Sequence, residues 1–185
     1  MNQGKLYRIN QVGTFVGDQK LYKVFNTLSS FTEEVLASGS KPSNKILAFN
    51  IIKAPKDLSM KLNISEGSFV YQVIRVRKRD QDPLHIDESY FPCDLIPLNE
   101  AIVQGSIYQY IQKTLNLGIA SSMQHIKAVL LPEHYASELE LPVNTPIIYT
   151  DNICYLSNGR IFEYTKTYKN QDKYELIIQA MNVRT

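Results

Sequence analysis

The side chains in this sequence best suited to chemistry are two arginines, Arg75 and Arg77. Residues 71–77, YQVIRVR, are typical of a β-strand, in which alternate side chains share a face, so both guanidinium groups are predicted to lie beside Tyr71. Two guanidinium groups next to an aromatic ring can hold a phosphate or a carboxylate. The same run also fits a solvated strand edge with ordinary charges. This stretch alone does not decide between an anion-binding site and such an edge.

A second predicted strand, residues 84–91, follows the turn at 80–83 and returns antiparallel to the first. It carries two neighbouring acidic residues, Asp87 and Glu88, which point to opposite faces of a strand. Arginines and a carboxylate on paired strands can form a small pocket for a polar anion.

Length, composition and motifs restrict the class of protein. The chain has 185 residues, 44% of them hydrophobic, and a net charge of +2, which suits one globular domain and offers no bulk charge for nucleic acid. No apolar run approaches the ~20 residues of a membrane span, and the start lacks a signal-peptide core, so a cytoplasmic protein without membrane contact is expected. The two cysteines and three histidines are scattered, and no nucleotide-binding or hydrolase motif occurs. We therefore expect no metal site, no cofactor and no catalytic residue.

Helix and strand signals follow one another along the chain. Ser30 and Glu33 form a capping-box pattern that predicts a helix to about Ser38, and Ser106 precedes a helix with an apolar stripe. Further short helices are predicted after Pro55 and after Pro132, the first with Leu58, Leu62 and Met60 facing inward. Residues 41–44 are predicted to form a loop. The remaining predicted strands are 46–54, 119–131, 147–156, 160–169 and 174–181, with a hairpin turn at 157–159. The expected fold class is α+β, a mostly antiparallel sheet with flanking helices.

Several segments, in their order and spacing, resemble the effector-binding domain of GntR-family transcriptional regulators of the HutC subfamily. That domain is called UTRA and is similar in fold to chorismate lyase. The segments are LSSFTEE at 28–34, VIRVR at 73–77, IDESYFP at 86–92, GSIY at 105–108, NG at 158–159, FEY at 162–164 and DKY at 172–174. The resemblance covers residues 21–185. The members nearest in pattern look like repressors of N-acetylglucosamine utilisation and of a trehalose operon, which respond to phosphorylated sugars.

Residues 1–20 are similar to the end of a GntR-type winged-helix domain. Two short β-like runs, at 5–9 and 14–16, resemble the wing hairpin of such a domain, and 17–20 resemble a linker. The recognition helix that would precede the wing is missing from this sequence. The resemblance therefore implies that operator DNA is bound only through an N-terminal domain that this polypeptide lacks.

The resemblance also implies an effector site at individual residues. Ser30, Phe31 and Thr32 start the first helix, where free backbone N–H groups and the helix dipole favour an anion. Ser106 matches a serine at the start of a second helix. Tyr108, early in that helix, is expected to line the cavity.

The strands supply the other positions of that site. Arg75 and Arg77 match two strand arginines of the family and are expected to contact phosphate oxygens. Asp87 stands where the family usually has a glutamate and is expected to contact sugar hydroxyls. Glu163 matches a glutamate of the family, although by itself it could be a surface strand residue. Lys169, which shares strand parity with Glu163, replaces a tyrosine, and this implies either an effector with an additional negative group or an exposed strand end.

The resemblance implies a ligand-sensing and dimerisation domain that binds a small anionic effector, with a sugar phosphate favoured, and so controls DNA binding. A homodimer is implied by the family, and the apolar strand at 147–155 is a candidate interface. Two alternatives stay open. One is a chorismate-lyase-like enzyme acting on a small carboxylate, against which no evident acid–base pair can be found. The other is a dimerisation domain without an effector.

Overall fold

The computed structural model describes residues 28–177, with side chains to 176, and the backbone of three short strands before them. The first two, β1 (Leu6–Ile9) and β2 (Gly13–Val16), pair antiparallel as the predicted hairpin. The third, β3 (Leu21–Val24), pairs in parallel with the last strand, β10 (Tyr174–Ile177). The assignment of the hairpin to a winged-helix domain, and the boundary between residues 20 and 21, stay predictions.

A six-stranded antiparallel sheet forms the centre of the described part of the chain. Its strands are β4 (Pro42–Lys53), β5 (Phe69–Arg79), β6 (Asp82–Pro92), β7 (Ile119–Leu130), β8 (Pro146–Leu156) and β9 (Ile161–Lys169). They lie in the order β4-β5-β6-β9-β8-β7. Four pairings join strands that follow one another in the chain, β4 with β5, β5 with β6, β7 with β8 and β8 with β9, while the central pairing of β6 with β9 joins distant parts of the chain. The predicted α+β class with a mostly antiparallel sheet is confirmed.

Short helices flank the sheet. They are α1 (Phe31–Ala37), α2 (Lys56–Leu62), α3 (Glu100–Gln104), α4 (Ile107–Lys113) and α5 (Glu133–Leu139). Helix α1 begins at the predicted capping box, in which the Ser30 hydroxyl accepts from the Glu33 N–H and the Glu33 carboxylate accepts from the Ser30 N–H. In the described ranges, no helix is long and apolar enough to cross a membrane.

Strand alternation gives the sheet two different faces. On one face, Val73 and Phe91 form a core with Val103 of α3 and Ile111 of α4. The opposite face packs against α2 and α5 in two further cores. These contain Val70 with Leu58 and Leu62, and Val76 and Ile86 with Tyr135 and Leu139. Because helices cover the apolar parts of both faces, the polar side chains left on the first face can line a cavity.

The structure differs from the sequence prediction in three local respects. Residues 42–44, predicted as a loop, belong to β4, because the strand continues to pair with the end of β5 and a proline is tolerated at the first strand position. Met60, predicted to face inward, is 69% exposed. Helix α3, which begins at its N-cap Asn99, was not predicted. This helix is short, and its apolar pattern is too brief to be recognised in the sequence.

Candidate functional site

A cavity of about 100 Å³ opens on the sheet face that carries Arg75 and is bounded by the starts of α1 and α4. All ten residues predicted for an effector site lie on its walls: Ser30, Phe31, Thr32, Arg75, Arg77, Asp87, Ser106, Tyr108, Glu163 and Lys169. A more open depression of about 320 Å³ shares Thr32 and Ser106 with it. The structure therefore brings the whole predicted set together, while the ligand-binding role of these residues stays a prediction.

Arg75, on β5, is 1% exposed and is held by backbone carbonyl groups. Its Nη1 donates to the carbonyl oxygen of Val103 at 2.9 Å and to that of Gly105 at 3.4 Å. Its buried Nε–H has no hydrogen-bond partner among the described residues. Burial, and next the charge of Arg77, lower the pKa of Arg75 to about 9, so its guanidinium group still carries a proton at neutral pH. A buried cation that is held only by neutral acceptors is costly without a counter-ion.

Arg77, two residues further along β5, already has a carboxylate partner. Its Nε donates to Asp87 Oδ2 at 2.9 Å, and its Nη1 donates to Asn44 Oδ1 at 2.8 Å. The guanidinium carbon lies 5.3 Å from the centre of the Phe31 ring, which is cation–π distance. The strand alternation that puts Arg75 and Arg77 on one face is confirmed, but only Arg75 lacks an ion pair within the described part of the chain.

Asp87, predicted to contact sugar hydroxyls, accepts hydrogen bonds at both oxygens. Arg77 donates to Oδ2, and the Thr167 hydroxyl donates to Oδ1 at 2.9 Å. Burial alone would raise the pKa of Asp87, but His85, Arg77 and Lys169 outweigh it and hold that pKa well below the ordinary value. The carboxylate is therefore ionised and orients Arg77. His85 Nε2 also lies 3.5 Å from Oδ1, so Oδ2 is the oxygen that keeps a lone pair for a ligand hydroxyl.

The starts of α1 and α4 face the cavity with their N-caps already in use. The Ser30 N–H and hydroxyl both donate to Glu33 Oε2, at 2.8 and 3.0 Å. The Ser106 hydroxyl accepts from the Gln109 N–H at 3.3 Å. An anion at the start of α1 would therefore compete with the carboxylate of Glu33 for the Ser30 donors. The arginines, rather than the short helices, provide the stronger anion-binding groups.

Glu163, on β9, is 5% exposed, so it is a buried cavity residue and not a surface strand residue. Tyr108 donates to Glu163 Oε2 at 2.6 Å, and Thr165 donates to Oε1 at 2.7 Å. The Tyr108 hydroxyl also lies 3.2 Å from Cys154 Sγ. Burial, with smaller effects of Cys154 and Glu163, raises the pKa of Tyr108 well above its ordinary value, so its hydroxyl remains a donor.

Lys169 ends β9 and is 6% exposed, so an exposed strand end is excluded. Its Nζ lies 4.3 Å from the centre of the Tyr174 ring. It stands opposite His85 in the sheet, and His85 packs edge-on against the rings of Phe31 and Tyr174. Tyr168 has the opposite parity and packs against Tyr135 on the other face, as strand alternation requires.

Several polar cavity residues were missed in the sequence: His85, Ser122, Gln124, Thr150, Asn152, Thr165 and Thr167. His85 has the parity of Asp87, and both threonines of β9 have the parity of Glu163, so the period of two contained the signal for these three. For β8 the signal was the predicted hairpin turn at 157–159, which places this strand beside β9. The residues of β7 carried no such signal and enter the cavity because β7 pairs with β8.

Comparison with known proteins points to a single family. The UTRA domain family matches residues 37–175 of this chain. The HTH-type transcriptional repressor NagR of Bacillus subtilis is 29% identical over 178 residues, which are 96% of this chain and 73% of that protein. The mannosyl-D-glycerate transport/metabolism system repressor MngR of Escherichia coli is 30% identical over 182 residues, which are 97% of this chain and 75% of that protein.

Solved structures agree with these sequence relatives. The possible transcriptional regulator YydK of Bacillus subtilis superposes with a TM-score of 0.78 at 27% identity, covering 96% of this chain and 77% of that chain. PhnF of Mycobacterium smegmatis has a TM-score of 0.80 at 18% identity, covering 97% of this chain and 79% of that chain. At that identity, the likeness to PhnF supports the fold alone.

Proposed function

The chain belongs to the UTRA domain family of GntR-type transcriptional regulators, and from this we propose that it is a sensor domain for a small anionic effector, specifically a sugar phosphate. Since its relatives are transcriptional regulators, the domain belongs to a regulator and not to an enzyme. Such a regulator would meet operator DNA through an N-terminal domain and would work in the cytoplasm.

The observation that supports an anionic effector is the environment of the Arg75 guanidinium group. The cavity contains three cationic side chains, Arg75, Arg77 and Lys169, and three acidic ones, Glu34, Asp87 and Glu163, so its total charge does not by itself select an anion. Arg75 is different because its buried guanidinium group is bound by backbone carbonyls and its Nε–H has no partner within the part of the chain that the structure describes. A phosphate oxygen would supply both the missing charge and the missing acceptor.

The class of effector is supported by what the relatives regulate. Two of them are named as repressors for sugar derivatives, one for a mannosyl-D-glycerate transport/metabolism system and one, a probable repressor, for a fructoselysine utilization operon. A sugar phosphate combines an anion for Arg75 with hydroxyl groups for the acceptors Asp87 and Glu163.

Effector binding would be coupled to α1 because this helix forms one wall of the cavity. A volume of about 100 Å³ is small beside the ~300 Å³ at the lower end of ordinary ligand pockets, so a sugar phosphate would either widen the cavity or extend into the neighbouring depression of about 320 Å³. Phe31 lies against both Arg77 and His85, which makes α1 a wall that a ligand would move. Strand β3, residues 21–24, precedes α1 in the chain and connects it to the N-terminal residues. A shift of α1 would therefore change the position of a DNA-binding domain attached before β3.

We also propose a homodimer, with an interface different from the one expected in the sequence. Strand β8 lies inside the sheet, and its Ile147 and Ile153 are buried at 1% and 8% exposure, so it cannot supply an exposed apolar face. The edge strand β7 instead exposes Met123, Ile126 and Leu130 at 45%, 42% and 61%. An uncovered edge of this kind favours pairing with a second copy.

The anionic effector is tested by calorimetric titration and thermal melting with inorganic phosphate, hexose 6-phosphates and the corresponding neutral hexoses. We expect only the phosphorylated compounds to bind, with a stabilisation of about 2.7 kcal/mol at a hundredfold excess over Kd. Arg75→Gln should abolish this binding, because it removes the charge while keeping an amide donor near Val103.

The matched control is Arg160→Gln, which removes an exposed arginine paired with Asp94 outside the cavity and should bind as wild type does. Equal stabilisation by neutral hexoses, or unchanged phosphate affinity in a folded Arg75→Gln protein, would refute the anionic effector. Arg77→Gln provides the same comparison if Arg75→Gln does not fold.

A further inference from the structure

The half of the cavity floor furthest from Arg75 consists of uncharged polar side chains. On β8 these are Thr150 and Asn152, and the register places Asn152 opposite Thr165 of β9 on one side and Gln124 of β7 on the other. Thr150 is 1% and Thr165 is 6% exposed, so both side chains are buried and not part of the solvated surface. A second region of the cavity therefore has hydrogen-bonding capacity without charge.

Asn152 has hydrogen-bonding capacity that the described part of the chain does not use. Its Oδ1 is buried without a hydrogen-bond partner in that part, and its Nδ2 makes one long contact, 3.4 Å, to the Thr150 hydroxyl oxygen. Turning the amide over would exchange the two atoms and leave a buried NH₂ group unpaired instead. In either orientation a buried polar group lacks a partner among the described residues, which is unfavourable unless a ligand or water supplies one.

The position of Asn152 relative to Arg75 fits the two ends of one ligand. The sheet order places β5 and β8 three strand spacings apart, roughly 14 Å between backbones. Arg75 and Asn152 both line the same cavity, and Asp87, Thr165 and Thr167 lie on the strands between them. An anionic group at Arg75 would thus leave the neutral body of the same molecule over β9 and β8.

We propose that Asn152, with the hydroxyl group of Thr150, forms a subsite that reads the hydroxyl pattern of the effector's neutral body and so determines which sugar is accepted. A carboxamide presents one acceptor and one donor side by side, which matches two neighbouring sugar hydroxyls. This inference rests on the proposed sugar-phosphate sensor and adds the residues that give it specificity.

The test separates the two ends of the cavity by using two kinds of probe. Inorganic phosphate probes the arginine end, and the 6-phosphates of glucose, mannose and galactose probe both ends. In Asn152→Leu, which keeps the side-chain size but removes both polar atoms, we expect unchanged affinity for inorganic phosphate. The affinity for the preferred hexose 6-phosphate should fall about tenfold or more, and the preference among the three epimers should shrink. Asn50→Leu, an exposed change on the edge strand β4, should alter neither affinity.

Each other outcome overturns the proposal. If Asn152→Leu binds inorganic phosphate and all hexose phosphates as wild type does, Asn152 has no part in specificity. If it loses inorganic phosphate as strongly as hexose phosphates, its effect is a general disturbance of the cavity. Wild-type protein that binds neither kind of probe would refute the proposed function itself and this subsite with it. Thr150→Val, which replaces a buried hydroxyl by a methyl group of similar shape, gives the same comparison if Asn152→Leu does not fold.

Discussion

Arg75, His85 and Asp87 lie in one cavity and have different charge states for reasons that can be traced to their neighbours. Burial lowers the pKa of Arg75 but leaves it protonated, because its ordinary value is so high. Burial likewise lowers the pKa of His85, to about 4, and outweighs the attraction of Asp87, so His85 is neutral at pH 7. Asp87 stays ionised because His85, Arg77 and Lys169 outweigh the opposing effect of burial. At these three residues an effector thus meets a guanidinium group without an ion pair in the described part of the chain, a neutral imidazole and an oriented carboxylate.

The neutral state of His85 predicts a specific loss of stability in acid. Its pKa is 6.5 when unfolded and about 4 when folded, so the unfolded chain binds more protons between these values. The His85 contribution is fully present above pH 6.5 and is lost as the pH falls to about 4, a total of about 3 kcal/mol. Urea denaturation at pH 7, 5.5 and 4.5 should show this slope, and His85→Gln should flatten it.

The control for this pH effect is His134→Gln, since His134 is exposed on α5 and does not line the cavity. It should keep the wild-type slope. A His85→Gln protein that loses stability as steeply as wild type between pH 6.5 and 4 would show that other groups cause the dependence.

Among the elements, α1 is the one whose attachment most directly concerns signalling. Its Glu34 accepts from the Ser29 hydroxyl at 2.8 Å and from the Tyr174 hydroxyl at 2.7 Å. Its Val35 is fully buried in a small core with Leu84 and Tyr174. Tyr174 also lies under Lys169 of the cavity and begins β10, the partner of β3. One tyrosine therefore connects the cavity, α1 and the strand pair that contains the N-terminal part of the chain.

Removing the Tyr174 hydroxyl should loosen α1 more than the sheet. A hydrogen bond to a charged group contributes about 1.5–3 kcal/mol, so Tyr174→Phe should speed amide hydrogen exchange in α1 by about tenfold or more. Amides of β5 and β6 should change much less. Hydrogen exchange followed by mass spectrometry measures both in one experiment.

Tyr155→Phe is the matched control, because Tyr155 packs beside the α2 core on the other face. It should leave exchange in α1 as in wild type. If Tyr174→Phe accelerates α1 and β5 to the same extent, the hydroxyl stabilises the whole fold rather than the attachment of α1.

For the whole molecule, the sheet has two edges with different surfaces. Inner strands have neighbours on both sides, whereas β4 and β7 leave one row of backbone groups unpaired within the sheet. Both edges expose apolar side chains, with Ile51 on β4 60% exposed. Strand β7 exposes three such side chains over 12 residues, and this favours it as the dimer interface.

A charge on β7 should therefore dissociate the dimer. In a two-fold symmetric interface each substitution occurs twice, so Ile126→Lys would bury two unpaired ammonium groups and weaken dimerisation by about a hundredfold or more. Sedimentation velocity over a concentration series measures this directly. Ile51→Lys places the same charge at the opposite edge and should remain dimeric. Dissociation by Ile51→Lys but not by Ile126→Lys would assign the interface to β4.

The sequence by itself determined the features that follow from short-range rules. Strand alternation put Arg75 with Arg77 and Glu163 with Lys169, and the Ser30 and Glu33 pattern located the start of α1. These predictions hold because side-chain direction and helix capping depend on residues only a few positions apart.

The tertiary structure decided how those residues are paired and which of them are buried. Asp87 binds Arg77 and Thr167, and Lys169 is enclosed, because β6 pairs with β9. Asn152 reaches the cavity because β9 in turn pairs with β8. The same arrangement encloses β8 and leaves β7 at the edge. Pairing between segments about 80 residues apart along the chain depends on packing of the whole sheet, and no local pattern in any one strand specifies it.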